Sequence, residues 1–307
     1  MLYKPSEYAT LTGQAMTRLL HEAGVPHEVM HCLVGAGEVG AALLAQEIDG
    51  LFFTGSHATG QHIARALAGR FSVKLQLELG GKDPAYVRAD ADPHAAAESL
   101  ADGAMYNSGQ SCCAVERIYV HEAVHDAFVA HFLATVAGFK AGDPMNEGTY
   151  VGAITRAPQI DLLEAQVRDA LAKGAALHVG PGKRSPGPGN HFPPAVLTNV
   201  DHRMDLMREE SVGPVIGIQK VADDDEAVAL MNDTRYGLTA GVYTKDEATA
   251  RALLSRVEAG TVYWNCCDRV SPRLPWSGVG DSGLGLTLGV AGIQTFTRPK
   301  AWHLRSP

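Results

Sequence analysis

Short apolar runs alternate with helix-length segments between residues 10 and 137, and this alternation restricts the fold more than any other feature. Runs rich in β-branched and aromatic residues predict strands, whereas apolar residues that recur every three or four positions predict helices. Alternating strands and helices form a parallel sheet, because each helix returns the chain to the edge where the next strand begins. We therefore predict an α/β fold. The predicted helices are 10–23, 39–46, 60–68, 95–106 and 125–137, and the predicted strands are 29–34, 51–53, 73–78, 85–87 and 117–121.

Length and charge exclude several classes of protein. The chain has 307 residues, which is enough for two domains. Its formal charge of -8 and the lack of a Lys/Arg block argue against a nucleic-acid partner. No apolar run approaches the roughly 20 residues that a membrane helix needs, and no secretory signal follows Met1. We predict a globular protein of the cytoplasm.

The cysteines form neither a disulfide framework nor a zinc site. Their number is odd, two pairs are adjacent, and the spaced pairs of zinc sites are absent. We therefore predict reduced thiols and no bound metal. Two of them end an apolar strand near residues 260–265, where a structural role is favoured over catalysis. The five are Cys32, Cys112, Cys113, Cys266 and Cys267.

The segment 107–113, Asn-Ser-Gly-Gln-Ser-Cys-Cys, contains a candidate nucleophile. A thiolate becomes reactive when backbone donors or positive charge stabilise it, and Ser108 and Gly109 allow the backbone to come close. Adjacent residues point in different directions, so only one of Cys112 and Cys113 can easily face a substrate. The segment alone leaves open which cysteine that is, and whether either is catalytic.

Glu78 places a carboxylate at the end of an apolar strand, just before Gly80 and Gly81. A carboxylate in such a position is costly to bury unless it is paired or used. One interpretation is a salt bridge with Lys82. The other is a general base with a raised pKa, which would activate water.

Two segments are candidates for binding a dinucleotide. Residues 35–40, Gly-Ala-Gly-Glu-Val-Gly, fit the glycine fingerprint, but no acidic residue follows at the usual spacing, so a plain turn between strand and helix is an equal alternative. Residues 53–56, Phe-Thr-Gly-Ser, end a strand before a helix, where free N–H groups can bind a phosphate. For Ser56 the alternative is an ordinary helix N-cap.

Taken together, these motifs resemble the aldehyde dehydrogenase superfamily. The resemblance rests on 51–60 (LFFTGSHATG), 78–82 (ELGGK) and 107–113 (NSGQSCC), and it continues almost to the C-terminus. It begins at Lys4, which lies well inside the subunit of full-length relatives, so we expect an N-terminally truncated chain. The resemblance implies a partial Rossmann-like, NAD-binding domain at 1–80 and an α/β catalytic domain at 81–283. It also implies a tail at 284–307 with an oligomerisation strand within 295–304.

The resemblance implies the reaction and its two catalytic residues. The family's nucleophile follows Gly-Gln by two positions, which selects Cys112 over Cys113. Cys112 would form a thiohemiacetal with an aldehyde, hydride transfer to NAD(P) would leave a thioester, and Glu78 would activate the water that hydrolyses it. The substrate would be a small aldehyde, the product a carboxylic acid, and the protein a homo-oligomer.

The resemblance also implies a set of binding residues. Trp276 matches an aromatic position at the substrate entrance, and Glu210 matches the residue that binds the nicotinamide ribose. A carboxylate at Glu7 would repel a 2′-phosphate, which favours NAD over NADP. The cofactor-binding residues implied in this way are Lys4, Glu7, Gly55, Ser56, Leu79 and Glu210.

Three departures from the family pattern bear on activity. Val212 replaces an aromatic residue beside the nicotinamide, and Thr287 replaces a glutamate that relays protons. The segment missing upstream carries, in the family, an asparagine that donates to the oxyanion, and the loss of one such donor costs about 2.7–4 kcal/mol. Two alternative functions therefore remain. One is an esterase-like remnant that uses the same cysteine without hydride transfer, and the other is an inactive module that associates with full-length subunits.

Overall fold

The computed structural model describes residues 1–267 and 269–307. Its strands are short, and many are joined by helices. In chain order the strands are β1 (Leu2–Tyr3), β2 (His31–Cys32), β3 (Gly50–Thr54), β4 (Lys74–Glu78), β5 (Pro84–Val87), β6 (Arg117–His121), β7 (Ala176–Val179), β8 (Ala195–Thr198), β9 (Val215–Val221), β10 (Tyr236–Gly237), β11 (Thr239–Tyr243), β12 (Thr261–Trp264), β13 (Val279–Gly280) and β14 (Gly283–Leu284).

The helices confirm those predicted from the sequence, although most begin two or three residues earlier than predicted. The first turn of a helix contains capping and polar residues, so the apolar spacing that predicts a helix begins only after this turn. Asp92, for example, caps α4 by accepting the N–H groups of His94 and Ala95. The helices are α1 (Thr10–Glu22), α2 (Gly37–Leu44), α3 (His57–Ala66), α4 (Pro93–Met105), α5 (Glu122–Ala137), α6 (Ala157–Ala172), α7 (Asp224–Asn232), α8 (Glu247–Leu254) and α9 (Gly289–Gln294).

The smaller of two compact units comprises Met1–Leu51 and Gln61–Lys74. In it, β1 pairs in parallel with β2, which is shorter than the predicted strand over 29–34. Helix α1 buries Gly13 and Thr17, and its leucines face outward. Gly13 is required at this contact, since a Cβ there would lie 2.5 Å from the side chain of Pro5.

The larger unit comprises Phe52–Gly60 and Leu75–Pro307 and is built on a seven-stranded sheet. The strand order is β12-β11-β5-β6-β9-β8-β7, and every pair is parallel except β7 with β8. Strand β5 shows why the sheet is buried on both faces. Ala85 and Val87 pack into a cluster with residues of α4 and α5, whereas Tyr86 packs into a second cluster with residues of α6, α7 and α8. The predicted α/β architecture is confirmed.

A smaller, three-stranded sheet holds β14, β4 and β3 in that order. Strands β14 and β4 are antiparallel, and Gly283 lies opposite Glu78. The amide of Gly55, just after β3, donates to the carbonyl of Glu78 at 3.0 Å. This sheet therefore brings the end of β4 beside the turn that leads into α3.

The two compact units divide near residue 74, with 52–60 in the larger unit. The cofactor domain at 1–80, the catalytic domain at 81–283 and the tail at 284–307 stay predictions. Residues 295–304 contain no strand in this single chain, and the oligomerisation strand expected there stays a prediction. A strand needs the hydrogen bonds of a neighbouring strand, which this chain alone does not give to its tail. No helix in 1–267 or 269–307 has both the length and the apolarity that a membrane span requires.

Candidate active site

A tight left-handed turn precedes Cys112. Asn107, Ser108 and Gly109 have φ angles of 49°, 60° and 66°, a conformation that non-glycine residues adopt only where the surrounding structure enforces it. A Cβ on Gly109 would lie 2.3 Å from the carbonyl oxygen of Gly213, so only glycine fits at this position. The turn therefore packs the segment before Cys112 against the backbone at Gly213.

The two adjacent cysteines have different environments. Cys113 is buried, and its Sγ lies 3.4 Å from Oγ of Ser111, whereas Cys112 is partly exposed. The backbone of Cys112 lies close to Gly81, because a Cβ on Gly81 would come within 2.7 Å of the Cys112 carbonyl oxygen. Cys112 is thus the more accessible of the two, and its role as the nucleophile stays a prediction. None of the five cysteines is in a disulfide.

The carboxyl group of Glu78 is buried at the end of β4. Only 7% of the residue is exposed, and its Oε1 has no hydrogen-bond partner among the described residues. Burial raises the pKa of Glu78 to about 7, and hydrogen bonds with Trp276 and Thr287 partly oppose the rise. A carboxyl group with this pKa exchanges its proton readily at neutral pH, as a general base must.

The alternative partner for Glu78, Lys82, is engaged elsewhere. Nζ of Lys82 donates to Oε2 of Glu116 at 2.7 Å and to Oγ of Ser211 at 3.1 Å. The salt bridge between Glu78 and Lys82 that the sequence left open is therefore not formed. The Lys82–Glu116 pair was missed, and the only hint of it in the sequence is a lysine directly after two glycines at the end of a buried strand.

Glu210 lies over the glycines that follow Glu78. Its Oε1 accepts the N–H of Gly81 at 3.1 Å, and a Cβ on Gly80 would come within 2.5 Å of its Oε2. Burial raises the pKa of Glu210 to about 7, the negative charge of Glu116 adds to the rise, and the Gly81 N–H opposes it. The structure therefore brings Glu210 and the Glu78–Gly81 segment together.

Trp276 and Thr287 form a short antiparallel bridge near Glu78. The N–H of each donates to the carbonyl of the other, at 2.7 Å and 2.9 Å. Trp276 is buried in a small cluster with Cys113 and Leu238, and Cys112 packs against this cluster. Since Trp276 and Thr287 also hydrogen-bond to Glu78, the predicted nucleophile, base and substrate-lining residue share one neighbourhood.

The first turn of α3 fits an anion such as a phosphate. The first N–H groups of a helix have no acceptor within the helix. Of these groups, Oγ of Ser56 accepts only the N–H of Thr59, at 3.4 Å. Ser56 is therefore an N-cap, and this role leaves the neighbouring N–H groups available to a pyrophosphate. Leu79 packs on this helix, because a Cβ on Gly60 would lie 2.6 Å from its Cδ2.

Lys4 and Glu7 belong to the smaller unit. Nζ of Lys4 donates to the carbonyls of Pro5 and Gly35, both at 2.9 Å. Glu7 is exposed at the start of a single helical turn. The glycine fingerprint at 35–40 does follow a strand and open a helix, as predicted, since α2 begins at Gly37. Binding of the adenosine ribose by Lys4 and Glu7 stays a prediction.

Metal ligands are not clustered in the described residues. In 1–267 and 269–307, no group of three or more His, Cys, Asp or Glu side chains is arranged so that it could hold a metal ion.

Sequence comparisons agree with the motifs. The profile of the aldehyde dehydrogenase family matches residues 1–302. A non-phosphorylating aspartate-semialdehyde dehydrogenase of Halomonas elongata is 37% identical over 306 residues, which are 99% of this chain and 62% of the relative. Betaine aldehyde dehydrogenase 2 of Rhizobium meliloti is 37% identical over 303 residues, which are 98% of this chain and 62% of the relative. The chain thus spans about three fifths of the length of these relatives.

Solved structures give the same result. An NAD-dependent aldehyde dehydrogenase from Sinorhizobium meliloti superposes with a TM-score of 0.92 at 34% identity, over 99% of this chain and 62% of that protein. Lactaldehyde dehydrogenase from Escherichia coli gives a TM-score of 0.95 at 31% identity, over 99% of this chain and 64% of that protein. Fold, motifs and sequence agree, and the chain belongs to the aldehyde dehydrogenase family.

Proposed function

We propose that this chain carries the catalytic centre of an NAD-dependent aldehyde dehydrogenase that oxidises a small aldehyde to a carboxylic acid. The observation that carries the proposal is that the candidate nucleophile and the candidate base both lie beside Trp276. A partly exposed cysteine, Cys112, packs on the cluster that contains Trp276, and a buried carboxyl group with a pKa of about 7, that of Glu78, hydrogen-bonds to Trp276.

Cys112 performs the covalent steps. Its thiolate attacks the carbonyl carbon of the aldehyde, and the new C–S bond gives a thiohemiacetal whose oxygen carries the negative charge. The backbone N–H of Cys112 has no acceptor in the described part of the chain, so it can donate to this oxygen. When hydride leaves the carbon, the carbonyl re-forms as a thioester.

Glu78 acts in the second half of the reaction. Its carboxylate accepts a proton from a water molecule, and the oxygen of that water attacks the thioester carbon. The C–S bond then breaks, which releases the carboxylic acid and returns Cys112 to its thiolate. Thr287 lowers the pKa of Glu78 through a hydrogen bond, and on the family resemblance it replaces a glutamate that relays protons.

The residues at the end of β4 and the start of α3 fit a dinucleotide. The α3 N-terminus provides N–H groups for a pyrophosphate, and Glu210 provides a carboxylate for a ribose hydroxyl near Gly80. When NAD is bound, its nicotinamide ring supplies the acceptor for the hydride. We propose NAD rather than NADP because Glu7 would repel a 2′-phosphate, and we propose binding roles for Lys4, Glu7 and Leu79 on the family resemblance alone.

The decisive test measures NADH formation at 340 nm with NAD and a panel of short aliphatic and aromatic aldehydes. Cys112→Ser should abolish the signal, and the matched variant Cys113→Ser should retain it. Hydrolysis of an activated ester, measured on the same samples, reports Cys112 without any hydride transfer. Equal losses of NADH formation in Cys112→Ser and Cys113→Ser would overturn the assignment of the nucleophile. Ester hydrolysis without NADH formation would instead identify an esterase-like protein.

A further inference from the structure

A buried ion pair lies between the three segments that form the active site, and the proposed reaction does not use it. Glu116 and Lys82 are 5% and 1% exposed, and Oε2 of Glu116 lies 2.7 Å from Nζ of Lys82. Lys82 follows the Gly80–Gly81 pair, and Glu116 lies four positions after Cys112 in the segment that leads into β6. The pair therefore ties the end of the Glu78 segment to the end of the nucleophile segment.

The carboxylate of Glu116 also holds the backbone that directly follows Glu210. It accepts the N–H of Ser211 at 3.1 Å and 2.9 Å, through its two oxygens, and the N–H of Val212 at 3.0 Å. Successive N–H groups that converge on one anion form a nest. Val212 has a φ of 46°, a conformation that β-branched residues rarely adopt. Glu116 therefore holds a strained segment through its N–H groups.

Glu210 is held on both sides by this arrangement. Its own carboxylate accepts the N–H of Gly81, directly before Lys82, and the two residues after it are bonded to Glu116. Lys82 also donates to the hydroxyl of Ser211 at 3.1 Å. The two segments on either side of the Glu210 carboxylate are thus joined to each other through one ion pair.

We propose that Glu116, together with Lys82, is a positioning residue that fixes the Glu210 carboxylate for the cofactor's ribose. The proposal deepens the proposed function and rests on it for the identity of the cofactor. Neither Glu116 nor Lys82 is assigned contact with the cofactor or the aldehyde. Their effect on the reaction passes through the backbone at Ser211 and Val212 and through Gly81.

The test compares two charge-neutral pairs of substitutions, because either single change would leave a buried charge unpaired. Lys82→Met with Glu116→Leu replaces the ion pair by apolar side chains of similar size. It removes the acceptor for the Ser211 and Val212 N–H groups. Lys82→Met with Glu116→Gln also removes both charges, but its amide oxygen can still accept these N–H groups. Asp224→Asn is the control, since Asp224 accepts hydrogen bonds from Tyr86 and Arg88 at a partly buried position outside this site.

Amide hydrogen exchange of the cofactor-free protein is the first readout. We expect exchange over residues 209–213 to rise at least tenfold in the Met/Leu pair, to rise less than threefold in the Met/Gln pair, and to stay unchanged in Asp224→Asn. If exchange over 209–213 is unchanged in the Met/Leu pair, or rises equally throughout the chain, the proposal is wrong. This readout needs no catalytic activity.

Kinetics provide the second readout. We expect the Met/Leu pair to raise the KM for NAD at least tenfold and to lower kcat for aldehyde oxidation, while ester hydrolysis by Cys112 stays within threefold of the wild type. A parallel loss of ester hydrolysis would show a general structural defect and would overturn the positioning role. If the wild type forms no NADH with any aldehyde, the proposed function fails, and hydrogen exchange alone then decides whether Glu116 positions the segment.

Discussion

At the scale of single residues, the ionisation of Glu78 couples activity to stability. Burial raises its pKa from 4.5 to about 7. Between these values the folded chain holds a proton that the unfolded chain has lost, so the free energy of unfolding falls as the pH rises through this window. At one pKa unit per about 1.4 kcal/mol, the full loss is about 3 kcal/mol above pH 7. The stabilising, protonated form is thus the one that cannot act as a base.

The variant Glu78→Gln tests this coupling, because glutamine cannot ionise. We subtract the free energy of unfolding of the wild type from that of the variant. We expect this difference to be larger at pH 8 than at pH 5, by up to about 3 kcal/mol. Urea unfolding of both proteins at the two pH values measures this difference, and Glu147→Gln, on the surface, controls for the loss of one charge. A difference between variant and wild type that does not change with pH would contradict the raised pKa.

Motifs identify some residues of the site and miss others for a physical reason. Cys112 and Glu78 stand in short, distinctive segments, so their roles could be proposed from local sequence. The partner of Lys82 could not be found in this way, because Glu116 lies 34 positions further along the chain and the contact depends on how β5 and β6 pack. The same limit applies to Thr287, whose contact with Glu78 depends on the bridge to Trp276.

At the scale of elements, the turn before the nucleophile depends on one glycine. Gly109→Ala would place a methyl group 2.3 Å from the Gly213 carbonyl oxygen in addition to imposing a φ of 66° on alanine. Gly148→Ala is a matched control, since Gly148 has a φ of 83° and no atom within 4 Å of its Cβ position. We expect the control to lose about 1–2 kcal/mol of stability through backbone strain alone.

For Gly109→Ala we expect the same strain plus about 1–3 kcal/mol for the overpacked contact. We also expect slower labelling of Cys112 by iodoacetamide, because the turn would have to shift. Urea unfolding and mass spectrometry of the labelled protein measure the two effects. Equal stability losses in Gly109→Ala and Gly148→Ala would show that the contact with Gly213 relaxes without cost.

Long periodic elements could be predicted from the sequence, and very short ones could not. Strand β6 has the predicted bounds, and α1 differs from its predicted range by one residue. Strands β13 and β14 are two residues long, which is too short for an alternating pattern, and their pairings with β10 and β4 are set by distant neighbours. The antiparallel contact that places Gly283 opposite Glu78 was therefore invisible in the sequence.

At the scale of the whole molecule, the outer face of α1 is an exposed apolar surface. Two leucines of this helix are exposed, Leu11 by 81% and Leu19 by 59%, whereas Gly13 and Thr17 are buried. The periodicity therefore predicted the helix correctly but not which face is covered. An amphipathic helix that turns its apolar face outward marks a surface for association.

We expect the chain to self-associate through this face, in line with the homo-oligomer that the family resemblance predicts. Sedimentation velocity should show a mass above 32.5 kDa that rises with protein concentration. The double variant Leu11→Gln/Leu19→Gln should lower the association at every concentration, because it removes apolar surface that the contact would bury. Leu162→Gln/Leu171→Gln is the matched control, since these leucines of α6 are exposed by 41% and 43%. A single species of 32.5 kDa throughout, or equal effects of the two double variants, would exclude α1 as the contact.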